Sequence, residues 1–280
     1  MTSKSPVPVE VFLDEYSRDD VIAKYLTDTA GAGIAHALTH VYAPVYLEVI
    51  NALIARRPRG HAFRILEYGC GGGMNLVKVV ELLRQRGADI QLGIGVDFSP
   101  PMVEAARHDS ARQLPRGLRD KITFAVANNE TLAPDLAKGL GCGVEDIEGT
   151  FDVIVGVNTF RYCHRLAREG DCARDIFALL RPGGSSIMID MNQRFPLFRS
   201  RIADLARFRR SEESFLPSLE DYARPFAKAG FKITQKRNFC WFPHSAGPTL
   251  VTVCRAMAPV LDVFFTPFAM RSLVVAERPA

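Results

Sequence analysis

The chain has 280 residues, of which 48% are hydrophobic and 24% are charged, and its net charge is +4. This composition excludes a disordered or fibrous chain and is typical of a globular protein with a sizeable core. Its basic residues are spread along the chain rather than gathered in one stripe, which argues against a nucleic-acid-binding protein.

The cysteines and the N-terminal residues indicate the compartment. None of the six cysteines has a partner at CxxC spacing, so the pattern supports neither a zinc site nor another bound metal. The opening residues, MTSKSPVPVEVFLDEY, lack the apolar segment of a secretory signal. We therefore expect a cytoplasmic protein with free thiols.

The first part of the chain predicts helices, and the middle predicts alternating strands and helices. Helices are expected over residues 9–57, with breaks at 29–33 and at Pro44. Strands are expected at FRILEYG (63–69), IQLGIGVDF (90–98), ITFAVANN (122–129), TFDVIVGVN (150–158) and SSIMIDMN (185–192). The helices between them are expected at MNLVKVVELLRQRG (74–87), SPPMVEAARHD (99–109) and GDCARDIFALLRPGG (170–184).

The rhythm changes after residue 192. An inserted helical segment is expected at 193–215, a helix at 219–230, and late strands at 231–242 and 271–279. The apolar tail, residues 254–277, is interrupted by Pro259, Asp262, Pro267 and Arg271. No run reaches the length of a membrane span, so we predict a buried helix followed by a strand.

Strands that alternate with helices predict an α/β fold. Crossover helices join parallel strands with one handedness, which restricts the topology to a doubly wound, mostly parallel sheet, here of seven strands. We expect an N-terminal helical cap over 1–57, a sheet domain over 58–280 and an inserted lid over about 192–216.

The stretch ILEYGCGGGMNL, residues 65–76, marks the expected ligand site. In such sheets ligands bind at the carboxyl ends of the strands, and the first strand-to-helix turn is the usual place. A dinucleotide motif counted from Gly69 needs a third glycine at position 74, which is Met74. The pattern that fits is E-x-G-x-G-x-G, from Glu67 to Gly73.

This pattern resembles motif I of the class I S-adenosylmethionine-dependent methyltransferases, and the similarity continues in order over about residues 62–191. The stretches GVDFS, VANNETL, FDVIVGVN and LLRPGGSSIMID follow the glycine loop as they do in that family. The resemblance implies the doubly wound fold just described. It also implies S-adenosylmethionine as cofactor and S-adenosylhomocysteine as product.

The resemblance also implies roles for individual residues. Asp97 would accept hydrogen bonds from the ribose hydroxyls, and Phe98 would pack on the adenine. Asn128 stands where the family usually has Asp, and its amide oxygen can still accept a bond from the adenine amino group. Glu67 would lie close to the cofactor's ammonium group. The full predicted cofactor set is Glu67, Gly69, Cys70, Gly71, Asp97, Phe98, Asn128, Asn129 and Val157.

The candidate catalytic residues lie in NTFRYCHRLAREGD, after the fourth strand. Arg161 in a pocket would favour a substrate carboxylate or phosphate. Tyr162 or His164 could orient or deprotonate the nucleophile. The alternative is that Arg161 pairs with a surface acid and His164 faces solvent.

Three further features could contribute to the pocket or to its lid. His36 and His40 share a helix face, and without a third ligand they predict a core or pocket-lining role rather than a metal site. The arginines of the 193–215 segment could attract an anion or lie on a solvated helix. Trp241 and His244 follow a late strand and could border the pocket.

The resemblance and these features predict a methyltransferase that acts on an O or N atom of a small molecule, with a C atom as the less favoured acceptor. The substrate could carry a carboxylate or a phosphate, or it could be lipid-like. NTFR after strand four is not an amino-methylating nucleic-acid motif, so no nucleic-acid partner is expected. We expect a monomer or homodimer without membrane insertion. The alternatives are a related fold that uses bound S-adenosylmethionine for cyclisation or decarboxylation, a NAD-type oxidoreductase and a non-enzymatic binding protein.

Overall fold

A single seven-stranded sheet organises the computed structural model, which describes residues 9–198 and 216–280. Its strand order is β3-β2-β1-β4-β5-β7-β6, in which β7 runs antiparallel to both β5 and β6 and the other neighbouring strands pair in parallel. The strands are β1 Ala62–Tyr68, β2 Asp89–Asp97, β3 Ile122–Val126, β4 Phe151–Val157, β5 Leu180–Met191, β6 Lys232–Phe239 and β7 Arg271–Glu277. The predicted doubly wound α/β fold is confirmed.

Helices cover both faces of the sheet. They are α1 Val9–Tyr16, α2 Asp19–Ile22, α3 Ala32–His36, α4 Ala43–Arg56, α5 Met74–Gln85, α6 Pro100–Gln113, α7 Arg116–Arg119, α8 Leu132–Leu140, α9 Phe160–Arg165, α10 Glu169–Leu179, α11 Leu219–Lys228 and α12 Pro248–Phe264. Successive strand residues point to opposite faces, so Ile65 packs with α4–α6 and Leu66 packs with α8, α10 and α11. Each face therefore has its own core.

One predicted helix boundary among the strands and helices of the sheet was wrong, and a helix was not predicted. Helix α10 ends at Leu179 and β5 begins at Leu180, so Pro-Gly-Gly lies in the strand rather than at the end of the helix. Pro182 disfavours helical backbone at the preceding residue, and Leu180 pairs with Phe151. Helix α8, which contains Pro134 in its first turn, was not predicted.

The predicted break at Pro44 was also wrong. Residues Ala32–Arg56 form one helix that contains a π-helical segment at Ala37–Tyr42. Pro44 is the second residue of the α-helical part Ala43–Arg56, so the position that has no N–H to donate coincides with the change from π-helical to α-helical hydrogen bonding. This helix is long and apolar enough to cross a membrane by length and composition, but Tyr46, Ile50 and other residues of it are buried against the sheet.

The apolar tail was predicted as a buried helix, and the structure contradicts this. Only Val251 of α12 is buried, whereas Val263 and Phe264 are each 72% exposed. The helix lies at the margin of the domain, beside α3 and the turn at Thr266–Phe268, and no second layer of described residues covers its outer side.

The predicted lid, about 192–216, falls mostly outside the described residues, and so do all but one of the arginines in the 193–215 segment. The described one, Arg194, is exposed. The domain boundaries at 57 and 58 stay a prediction.

The N-terminal helices dock on the glycine loop. The Thr27 N–H and hydroxyl both donate to the Asp109 carboxylate, at 3.0 and 2.9 Å, and the Ser99 hydroxyl donates to the Tyr16 carbonyl at 2.9 Å. A Cβ on Gly72 would lie 1.8 Å from the Tyr25 carbonyl oxygen. The cap and the loop therefore meet backbone to backbone at Gly72.

This contact makes Gly72→Ala a test of the docking. We expect it to lower the free energy of unfolding by about 1–3 kcal/mol, because the added methyl group must displace the main chain at Tyr25. Gly117→Ala is the matched control, since a Cβ there meets nothing within 4 Å. Urea denaturation measures both, and equal midpoints for the two variants would contradict the docking described here.

Candidate active site

A pocket with about 850 Å³ of empty space, part of it open to solvent, lies at the carboxyl ends of β1, β2 and β4. Parallel strands bring these ends to one edge of the sheet, which is why residues from distant parts of the sequence meet there. The sequence-predicted residues in its lining are Gly69, Cys70, Gly71, Asp97, Phe98, Asn128, Asn129, Val157 and Tyr162.

The glycine loop forms one wall of the pocket. Gly69 has a φ of +59°, and a Cβ there would lie 2.0 Å from the Thr159 hydroxyl oxygen. The Cys70 N–H donates to the Val96 carbonyl at 2.8 Å, which joins the loop to the end of β2. The loop thus presents bare backbone to the pocket.

Asp97 ends β2 and holds the glycine loop. Its carboxylate accepts the Gly71 N–H and the Ser99 N–H, each at 3.0 Å. Burial raises the pKa of Asp97 to about 6. Each oxygen has one backbone donor, so lone pairs remain on the pocket side for two hydroxyl groups.

Glu67 does not line the pocket. It lies behind Asn75, whose side-chain amide donates to it at 3.0 Å, and it also accepts the Leu76 N–H at 2.8 Å. Burial raises the pKa of Glu67 to about 8, so the group is mostly protonated at pH 7. Asn75 was missed from the sequence, although it directly follows the first residue of α5.

The asparagines after β3 are fixed by other side chains. Asn128 donates its N–H and its amide group to Asp135, each at 3.0 Å, which leaves its amide oxygen free to accept. Asn129 donates to the Thr159 hydroxyl. The substitution of Asn for the usual Asp at 128 therefore keeps an acceptor at the pocket.

The structure brings two of the three predicted catalytic residues, Arg161 and Tyr162, into contact. Tyr162 lines the pocket, and its hydroxyl contacts the Tyr16 hydroxyl. Arg161 lies behind Tyr162, donating to the Tyr162 hydroxyl at 3.1 Å and to the Met191 sulfur at 2.9 Å, and does not line the pocket. The backbone of His164 lies in α9, and its side chain is outside the described part of the structure.

Several pocket residues were absent from the predicted set, among them Phe12, Tyr16 and Tyr25 of the cap and Asn158 after β4. The sequence signals that could have found these four were the aromatic residues of the first helices and the NTF sequence that follows β4. His244 lines the pocket as expected. Trp241 instead donates to Asp262 at 2.7 Å, and His36 and His40 are neither in the core nor in the lining.

A chain of polar contacts runs from Arg271 to His244. Arg271 can only donate, so the Asn158 oxygen faces it and the Asn158 amide group faces His244 Nδ1, at 3.4 Å. His244 Nδ1 is then the acceptor, and the proton lies on Nε2, 2.7 Å from the Tyr42 hydroxyl. Burial, Arg271 and Arg161 hold the pKa of His244 well below its usual value.

The comparison with known families decides the identity. A family model described as a methyltransferase domain matches residues 34–236, more than half of the chain. The chain belongs to the S-adenosylmethionine-dependent methyltransferases. A search of curated proteins finds no match to this methyltransferase.

Solved structures share the fold of this methyltransferase. A geranyl diphosphate methyltransferase in complex with GPP and sinefungin has a TM-score of 0.54 and 14% identity, over 96% of this chain and 98% of that one. Magnesium protoporphyrin IX methyltransferase from Synechocystis PCC 6803 with bound SAH has a TM-score of 0.51 and 14% identity, over 85% of this chain and 83% of that one. The [4+2]-cyclase SpnF has a TM-score of 0.51 and 17% identity, over 84% of this chain and 81% of that one.

The contacts of His244 predict its titration in this methyltransferase. We expect ¹⁵N NMR of histidine-labelled protein to show His244 as the neutral Nε2–H form from pH 8 down to about pH 6, where a histidine with an unperturbed pKa is mostly protonated. The spectrum of His244→Gln assigns the signal. Protonation of His244 within that range, or the Nδ1–H form, would contradict the hydrogen bonds described here.

Proposed function

We propose that this methyltransferase transfers a methyl group to an O, N or C atom of a small metabolite, one that bears a carboxylate or a phosphate. The observation that carries this proposal is a single pocket with two unlike ends. The glycine loop and Asp97 form one end, and aromatic side chains of the cap form the other. Its size suits a cofactor and a small molecule, not a polymer.

The first end fits the cofactor. Asp97 has free lone pairs for the ribose hydroxyls, and the Phe98 ring lies beside it for the adenine. The Asn128 oxygen is available to the adenine amino group, and Asn75 lies between the pocket and Glu67 to contact the methionine ammonium. When bound, the cofactor supplies a methyl group on a sulfonium, which is already activated for displacement.

The second end fits the acceptor molecule. Phe12, Tyr16 and Tyr25 enclose it from the cap, and Tyr162 and His244 face it from the sheet domain. Methyl transfer requires mainly that the nucleophile is held near the methyl group in a site without water. We propose that Tyr162 orients this nucleophile and that the enclosure excludes water.

Partners and location follow from the same proposal. We propose a cytoplasmic enzyme that acts as a monomer or homodimer, without nucleic acid and without membrane insertion. A diphosphate on an isoprenoid body belongs among the first candidate substrates, because geranyl diphosphate methyltransferase shares the fold and the exposed face of α12 is apolar.

The cofactor end is tested by titrating S-adenosylhomocysteine into the wild type and Asp97→Ala. Hydrogen bonds from ribose hydroxyls to a carboxylate contribute about 1.5–3 kcal/mol, so the variant should bind at least about tenfold more weakly. Asp20→Ala is the control, since Asp20 is an exposed carboxylate on α2. Failure of the wild type to bind at micromolar concentrations would overturn the cofactor assignment of these residues.

The acceptor end is tested with radiolabelled S-adenosylmethionine and a panel of small carboxylic acids, phenols, amines and geranyl diphosphate. With an acceptor from this panel, we expect Tyr162→Phe to lower kcat at least about tenfold and to change S-adenosylhomocysteine affinity less than twofold. If Tyr162→Phe instead lowers S-adenosylhomocysteine affinity as much as kcat, Tyr162 belongs to the cofactor end of the pocket. Substrate consumption without S-adenosylhomocysteine would instead indicate a cyclisation or decarboxylation.

A further inference from the structure

Two buried guanidinium groups lie behind the acceptor end of the pocket. Arg271, at the start of β7, is 1% exposed, and Arg161 is largely buried. Asp190 is the carboxylate between them among the described residues, and its oxygens accept the N–H groups of Arg161 and Met191, at 2.9 and 2.8 Å. The Arg161 Nε lies 4.0 Å from Asp190, so backbone donors, and not the guanidinium, satisfy this acid.

The cluster therefore carries more positive than negative charge. Two arginines face one carboxylate among the described residues, and that carboxylate already accepts two backbone N–H groups. The Arg271 Nε has no hydrogen-bond partner. Uncompensated buried charge is costly, which indicates that an anion completes the cluster when the protein works.

Each guanidinium polarises a neutral donor in the pocket lining. Arg161 donates to the Tyr162 hydroxyl, and only one of the two hydroxyl hydrogens of Tyr162 and Tyr16 lies between their oxygens. The Tyr25 hydroxyl also hydrogen-bonds to Tyr16, and the three hydroxyl groups share two contacts, so one of their three hydrogens remains for a further acceptor. Arg271 donates to the Asn158 oxygen, so the Asn158 amide nitrogen lies on the opposite side, where one of its hydrogens faces His244 Nδ1 and the other remains for a ligand in the pocket.

The backbone at Asn158 supports a special role for this residue. Its φ is +59°, a left-handed conformation that few residues other than glycine adopt, and that clusters at functional sites. Asn158 directly follows β4. In this conformation its side-chain oxygen contacts Arg271 and its side-chain nitrogen faces His244. Polarised neutral donors with fixed charge behind them form the arrangement of an oxyanion hole.

We propose that the acceptor end is an oxyanion subsite, in which the Tyr162–Tyr16 hydroxyl pair and the Asn158 amide hold a substrate carboxylate, phosphate or phenolate whose oxygen accepts the methyl group. This proposal rests on the proposed function and names its substrate class. It assigns Asn158 a direct contact with the substrate and assigns Arg161 and Arg271 an indirect one.

The charge balance of the transfer agrees with this subsite. A lone pair of the anionic oxygen forms the new C–O bond, and the C–S bond breaks with its electron pair on sulfur. The oxyanion and the sulfonium both become neutral, and no proton has to be removed. An amine acceptor would instead become a cation beside Arg161 and Arg271, which the excess positive charge disfavours.

The first test measures charge at the acceptor end with Asn158→Asp. This isosteric change adds a carboxylate against Arg271. The probes are S-adenosylhomocysteine, which is neutral at sulfur, and sinefungin, which carries an ammonium in place of the methylsulfonium. The measured quantity is the affinity ratio, which is the calorimetric affinity for sinefungin divided by that for S-adenosylhomocysteine. We expect this ratio to be at least about fivefold higher in the variant than in the wild type.

Three further variants control this test. Arg161→Met should shift the affinity ratio in the same direction, and Arg161→Lys, which keeps the charge, should not. Asn51→Asp makes the same chemical change at an exposed position of α4 and should leave the ratio unchanged. A ratio that stays within twofold in both Asn158→Asp and Arg161→Met overturns the proposal.

The second test uses fragments on protein saturated with S-adenosylhomocysteine. Benzoate and phenyl phosphate probe the two anion classes, and benzamide is the neutral analogue. We expect one of the anions, but not benzamide, to raise the melting temperature, and Asn158→Asp to abolish that rise. Equal shifts with benzamide, or none with either anion, overturn the subsite. If S-adenosylhomocysteine itself does not bind, the proposed function fails instead.

Discussion

The cofactor end of the pocket depends on one hydrogen bond, from the Gly71 N–H to the Asp97 carboxylate. The bond joins the loop after β1 to the end of β2, and it can form because the two strands are parallel neighbours whose carboxyl ends meet. It keeps the glycine loop open with its backbone towards the pocket. The same carboxylate presents its remaining lone pairs to the pocket side, so loop shape and ligand contacts depend on a single buried acid.

The enclosure of the pocket comes from outside the sheet. The cap docks through Thr27 on Asp109 and through the main chain of Tyr25 on Gly72, which places Tyr16 and Tyr25 over the strand ends. Tyr16 then contacts both the Phe98 ring and the Tyr162 hydroxyl, so one cap residue touches both ends of the pocket. The first helices therefore decide how well the reacting groups are shielded from water.

The charges are separated along the pocket. Asp97 lies at the cofactor end, and Arg161 and Arg271 lie behind the acceptor end. The separation follows from topology, because Asp97 comes from β2 while the arginines come from α9 and from β7, two strands beyond β4. A cofactor with an ammonium group and a substrate with an anionic oxygen would each meet a complementary field.

The amino-acid sequence by itself determined the sheet strands and the fold class, because alternating apolar runs are local signals, and its resemblance to the motifs of the methyltransferase family pointed to the glycine loop and Asp97. It did not determine the exposure of α12, since an apolar helix has the same pattern whether or not another layer covers it. Nor did it reveal the contact of Tyr16 with Tyr162, or the chain from Arg271 through Asn158 to His244. Those residues are far apart along the chain and no periodicity relates them. Only the tertiary structure decided these contacts, because side chains from different strands and from the cap meet where parallel strands end at one edge of the sheet.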